Sequence, residues 1–168
     1  MNTTHDNNRA MRLNAAIVGV LFIIATAAGV IAAALGSPTL EAPDYLSRIA
    51  VNEDTVLLGA FLTFLMSIAC AGVGLGLYPI LRRYSVSLAI GATGFRLLES
   101  MTQVLWGAGV MGLLALSREF VNAGAPDVAY FQTIGAVIQT GGAWISNGVT
   151  LILWCIGAFM YYGIFYRF

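Results

Sequence analysis

The stretch GATGFRLLESMTQVLWG, Gly91 to Gly107, places Arg96 and Glu99 three residues apart inside an otherwise apolar run. Residues three and four apart stack on one side of a helix. At that period Arg96, Glu99, Ser100, Gln103 and Gly107 form one stripe, while Leu97, Leu98, Met101 and Leu105 fall mostly to the other sides. Such a stripe predicts a membrane helix with a polar inward face. A central Arg or Glu costs on the order of 2.5–3.5 kcal/mol on insertion scales, and each Leu, Ile, Phe or Val returns about 0.3–0.6. The two sums nearly cancel here. The segment is therefore expected to insert as a hairpin with the helix before it and to keep its stripe on protein.

The rest of the chain agrees with lipid as the main solvent. Of 168 residues, 59% are hydrophobic and only 10% are charged, whereas a soluble domain carries about a quarter charged residues. A span needs about 20 apolar residues, which leaves room for four. The reading is all-α, an integral membrane helical bundle. Residues 1–12 form a polar tail expected to lack order, and 13–168 form a single transmembrane domain with spans at about 13–35, 55–81, 86–116 and 143–166.

The first apolar run, Leu13–Leu35, offers small residues at Ala32–Leu35 for signal cleavage. It outruns the roughly 7–15 residues of a signal h-region and reads as a retained span. Gly36 and Pro38 are expected to stop it. Pro43 then starts a short helix with Tyr45, Leu46, Ile49 and Ala50 on one face, lying along the interface. Asn52 or Asp54 caps the second span. The string GVGLG at Gly72–Gly76 has no strand before it and so does not read as a phosphate loop. Gly72 and Gly76 instead predict a close helix–helix contact. LRRYS makes a tight turn into the third span, and SREFVNAGAPD a polar loop after it. Gln132 and Gln139 share a helical face, which reads either as the lining of an outer vestibule or as polar helix-contact or loop-facing residues. Gly141 and Gly142 predict a bend before the fourth span, which ends in YYGIFYRF, a headgroup-type cluster of Tyr and Arg.

Every basic residue is Arg. With the N-terminus inside, Arg9, Arg12, Arg82, Arg83 and Arg167 are cytoplasmic, and Arg48 and Arg118 lie outside with Glu41, Asp44, Glu53, Asp54, Glu119 and Asp127. This is the positive-inside pattern and predicts cytoplasmic termini. Formal net charge is zero, so bulk charge points to no nucleic-acid partner. One histidine, His5, and two dispersed cysteines, Cys70 and Cys155, provide no metal, haem or cluster ligand set. No cofactor is expected, and the partners expected are membrane lipids and a second copy or another membrane protein.

Two readings of the charged pair follow. Intramembrane charges mark ion, proton or substrate sites. A mutually neutralising pair also fixes helix packing without chemistry. The candidate polar site is Arg96, Glu99, Ser100 and Gln103, with Gln139 and Asn147 as secondary candidates beside Ser146 and Gln132. Trp106, Trp144 and Trp154 read as packing or interface anchors. An enzyme ranks last, because no nucleophile–base pair is recognisable.

GLYPILRRYS (Gly76–Ser85), GFRLLES (Gly94–Ser100), LLALSREF (Leu113–Phe120), AGAPD (Ala123–Asp127) and LEAPDYLSRIAVNE (Leu40–Glu53) together resemble the bacterial membrane family called domain of unknown function 4386. The resemblance covers the chain beyond its polar tail. It implies a polytopic helical protein of the bacterial cytoplasmic membrane, and it implies no activity. The Arg and Glu of the family's FRLLE string fall on Arg96 and Glu99. Family members continue into further membrane helices, whereas the sequence here stops at Phe168. Self-association is the expected way to cover a polar face left without such helices.

Overall fold

A computed structural model describes residues 3–124 and 128–167, with side chains described from Arg9 onward. Six α-helices follow one another: α1 (Thr3–Leu40), α2 (Tyr45–Val51), α3 (Glu53–Leu81), α4 (Val86–Asn122), α5 (Val128–Ala143) and α6 (Thr150–Arg167). A π-helical stretch, Trp144–Val149, joins α5 to α6 without a break. Four helices are long and apolar enough to cross a membrane: Arg9–Leu40, Glu53–Leu81, Val86–Asn122 and Val128–Arg167. No strand occurs among the described residues.

The helices run up and down in a row. α1 packs on α3, α3 on α4, and α4 on α6, while α2 and α5 cover the Asn122 end of α4. Their packing is inverted relative to a soluble bundle. Ser67, Thr93, Arg96, Glu99, Ser100 and Gln103 are buried, whereas Ile23, Ile68 and Phe159 stand 68%, 68% and 80% exposed. Large apolar side chains outside and small or polar ones inside are what helix association in lipid requires, because lipid is as apolar as leucine. Apolar clusters close both ends of the row. Ile49 of α2 packs with Val56, Val110 and Leu113 at one end, and Leu81, Ala89, Tyr161 and Ile164 sit near the α3–α4 turn.

Glycine sets how closely the helices meet. Gly72 and Gly76 receive Leu21 and Val18 of α1, and a methyl group on Gly76 would stand 2.5 Å from Val18 Cγ2. Gly74 faces the other way, where a methyl group would stand 2.8 Å from Arg96 Cβ. α3 is thus pressed between α1 and α4, using alternate glycines of GVGLG for each neighbour.

Several helix boundaries differ from expectation, each for a tertiary reason. α1 starts at Thr3 within the tail expected to be disordered, since extending an existing helix costs little beside nucleating one. It also runs through Gly36 and Pro38 to Leu40. Pro38 lies in the last turn, where few bonds remain to lose, and Leu40 packs on the core while its carbonyl accepts from Gln139 Nε2 at 2.7 Å. α2 begins at Tyr45, two residues after Pro43, and buries Leu46 and Ile49 of the expected face against α4. Asn52 stands at the start of α3 but makes no side-chain cap, because its Nδ2 donates to the Arg48 carbonyl at 2.9 Å.

α4 continues to Asn122 through part of the expected polar loop. Ser117 Oγ donates to the Leu46 carbonyl, and Arg118 pairs with Glu53, so this polar turn is held by α2 and α3. Asp127 lies outside the described residues. The glycines at 141 and 142 do not interrupt the last helix. The methylene-free face of Gly142 admits the Trp106 ring, and the π stretch follows immediately.

Gly74→Leu is expected to destabilise the fold by about 1–3 kcal/mol through overpacking against Arg96. Gly94→Ala has nothing within 4 Å of the added carbon and is expected to be neutral or slightly stabilising. Thermal unfolding of the purified variants in detergent tests both.

Candidate functional site

The stripe on α4 builds a buried polar belt midway along the α3–α4 hairpin. Arg96 Nη1 donates to Glu99 Oε2 at 2.7 Å, and each residue is 3% exposed. Gln103, one turn further on, donates from Nε2 to Glu99 Oε1 at 3.3 Å and lies 4.0 Å from Cys70 Sγ on α3. The four primary candidates are therefore together. Ser100 acts across the helix interface: Ser100 Oγ and Ser67 Oγ each donate to the other's backbone carbonyl at 2.9 Å. Thr93 Oγ1 adds a bond to the Gly74 carbonyl at 3.2 Å. On the far side, Thr102 and Thr150 hydroxyls lie 2.6 Å apart and join α4 to α6.

α3 and α6 meet the pair through small residues. Gly74 lies against the Arg96 Cβ, and Gly157 of α6 lies against the Arg96 stem and Phe95. A larger residue at either position would push a helix off the charges. Two polar atoms of the belt, Arg96 Nε and Gln103 Oε1, are buried without a partner. The remaining donors and acceptors tie the pair to its own helix and to α3.

The secondary candidates lie elsewhere. Gln139 and Asn147 line a cleft of about 550 Å³ between α1 and the α5–π region. Gly29, Ala32 and Gly36 form its α1 wall, and Met66 and Trp106 lie on its floor. A side chamber of about 30 Å³ runs on toward Val56 and Val110. Neither cavity is lined by Arg96, Glu99 or Gln103. Gln132 is exposed and contributes only its carbonyl, which the Tyr45 hydroxyl approaches at 3.4 Å. Burial pushes the Tyr45 hydroxyl up from its ordinary pKa, so it stays protonated and able to donate. Trp106 is a cleft residue, whereas Trp144 is 72% exposed on the outer surface.

Nothing here assembles a metal centre: no group of three His, Cys, Asp or Glu is close enough among the described residues. Of the two glutamines expected to line a vestibule, Gln139 lines the cleft and Gln132 does not; that α1 supplies the opposite wall was beyond sequence reasoning. The cleft's other local signal is the glycine pair before the π stretch, and its α1 wall is far away in the chain.

Four apolar helices around a buried polar belt define a polytopic α-helical membrane protein. Within that class, the chain belongs to the family described as domain of unknown function (DUF4386), whose model matches residues 17–168. No curated protein and no solved structure matches it.

Cys70 is buried beside the belt and Cys155 is exposed. In alkaline detergent solution, a maleimide is expected to modify Cys155 in the folded protein and Cys70 only after denaturation. Intact-mass measurement of one against two adducts reads the result, and prompt modification of Cys70 would contradict a closed belt.

Proposed function

We propose that this protein is a structural, interaction or regulatory component of the bacterial cytoplasmic membrane, with both termini cytoplasmic. In this reading the Arg96–Glu99 pair locks helix packing and is not a transport site. The observation that carries it is the closure of the pair. Its charges neutralise each other at 2.7 Å, both residues are 3% exposed, and neither described cavity reaches them. A carrier needs a site that opens alternately to the two sides of the membrane.

The arginine distribution supports the orientation. Arg9, Arg12, Arg82, Arg83 and Arg167 stand at one end of the up-and-down bundle. Arg48 and Arg118 stand at the other, and each is bound to an acid there, Asp44 at 2.7 Å and Glu53. Gly141 and Gly163 have nothing within 4 Å of an added carbon. Such open small-residue positions suit close approach by a second copy or another membrane helix.

The second reading is a subunit of a small-solute or ion transporter with Arg96 and Glu99 at its site. Arg96 Nε and Gln103 Oε1 favour it, since unpartnered buried polar atoms are places for an ion or water.

Charge-neutral replacements separate the two. For a lock, Glu99→Gln or Arg96→Met alone is expected to cost about 3–5 kcal/mol by leaving one buried charge uncompensated. The double change is expected to restore much of that loss, and folded yield by fluorescence-detected size exclusion reads it. For a transport site, all three variants fold and a flux is lost in each. A reporter fused after Ser47 is expected on the outer side, and a cytoplasmic reporter would overturn the orientation.

A further inference from the structure

We infer that the cleft between α1 and the α5–π region is a binding site for a membrane amphiphile whose head donates hydrogen bonds and carries no negative charge. The inference does not depend on the role of the charged pair. Its volume of about 550 Å³ falls within the roughly 300–1,000 Å³ of small-molecule sites. The cleft is bounded by two helices that meet mainly at one end. Gln139 Nε2 bridges to the Leu40 carbonyl there, and past Ser37 the α1 wall is only glycine and alanine. The side between the helices is therefore open to acyl chains.

The polar groups fix the kind of head. Ser37, Glu41, Ser146 and Asn147 line the cleft and make no side-chain hydrogen bond among the described residues. Asn147 is the most informative. Trp106 meets Gly142 and Thr102 meets Thr150, so Asn147 stands between these levels, close to that of Gln103. That is as deep as Met66, roughly 20 Å along α3 from Glu53 at 1.5 Å per residue. A free amide at such depth costs several kcal/mol unless something bonds it.

The π stretch presents this amide. Thr150 N–H and Thr150 Oγ1 both turn back to the Ile145 carbonyl, which closes the wide turn on the protein side. π turns recur at functional sites because they set a few side chains out of helical phase. The cleft offers both donors and acceptors, and its one charged lining residue is an acid. Glu41 contributes a carboxylate, and Gln139 keeps its Oε1 and the second hydrogen of Nε2 after giving one to Leu40. No arginine lines it, and the chain has no lysine. An anionic amphiphile would therefore pass the Glu41 carboxylate at the mouth, about 18 Å along α1 from Gly29 at 1.5 Å per residue, and would meet no cation within. A hydroxyl or ammonium head on an apolar body fits, the body lying over Ala32, Met66 and Trp106.

The test uses the full chain in phosphatidylcholine nanodiscs and three photoactivatable probes with the same acyl chain: a monoacylglycerol, an alkylammonium and an alkyl phosphate. Adducts are mapped by peptide mass spectrometry. The first two are expected to label residues 29–41 and 139–147 preferentially, and their ratio tells whether a hydroxyl or an ammonium head is preferred. The phosphate is expected to label these segments about tenfold less, the equivalent of about 1.4 kcal/mol. Ala33→Trp, which fills the cleft from an exposed α1 position, is expected to abolish the enrichment. Asn147→Leu is expected to lower it about fivefold to tenfold through one or two lost hydrogen bonds. The second variant decides the matter if the first does not fold. Labelling spread evenly over lipid-facing residues, equal labelling by the phosphate, or enrichment unchanged in Asn147→Leu would overturn the proposal.

Discussion

A polar group in hydrocarbon has no water to fall back on, and this cost organises the whole bundle. α4 carries an arginine, a glutamate, a glutamine and two small hydroxyl residues on one face, so that face cannot meet lipid. α3 answers it residue for residue. Ser67 exchanges hydrogen bonds with Ser100, the Gly74 carbonyl takes the Thr93 hydroxyl, and the missing side chain of Gly74 makes room for Arg96. α6 closes the remaining side with Gly157 and Thr150. The α3–α4 hairpin is thus the element on which the others are hung.

This explains why the apolar clusters lie at the ends and the polar belt lies in the middle. In water the hydrophobic effect would draw the leucines and isoleucines inward. In lipid they gain nothing from that, and the interior is left to the residues that can bond one another or pack backbone against backbone. α1 follows the same rule with little polar content on its α3 face. It is held to α3 by Leu21 and Val18 seated at Gly72 and Gly76, with Ala25, Ala69 and Cys70 between.

The phase of α4 was legible because it depends only on spacing within one helix. Arg96, Glu99, Ser100, Gln103 and Gly107 are buried, and Leu98, Met101 and Leu105 are exposed, as the three- and four-residue period requires. Helix ends were less legible, because they are decided by distant partners. Pro38 and Gly36 look like stop signals, yet Leu40 is engaged by α5. Ser117 and Arg118 look like loop residues, yet α2 and α3 satisfy them. The cleft was least legible of all. Gln139 and Asn147 stood out as polar residues in apolar runs, but their shared cavity depends on where α1 stands, some hundred residues earlier in the chain.

Polar residues in this protein are handled in two physically different ways. Those on α4 face a partner helix and end up paired to within two atoms of completeness. Those around the π stretch face a gap between helices and remain unpaired by protein. A membrane protein removes the first kind of cost by folding, because every bond is internal and is made once. The second kind is removed only by something that enters from outside, and its removal then depends on what is present in the membrane. Charge alone is therefore a poor guide to where such a protein meets a ligand. Arg96 and Glu99 sit where the chain pairs them with each other, and Ser146 and Asn147 sit where it leaves them without a partner.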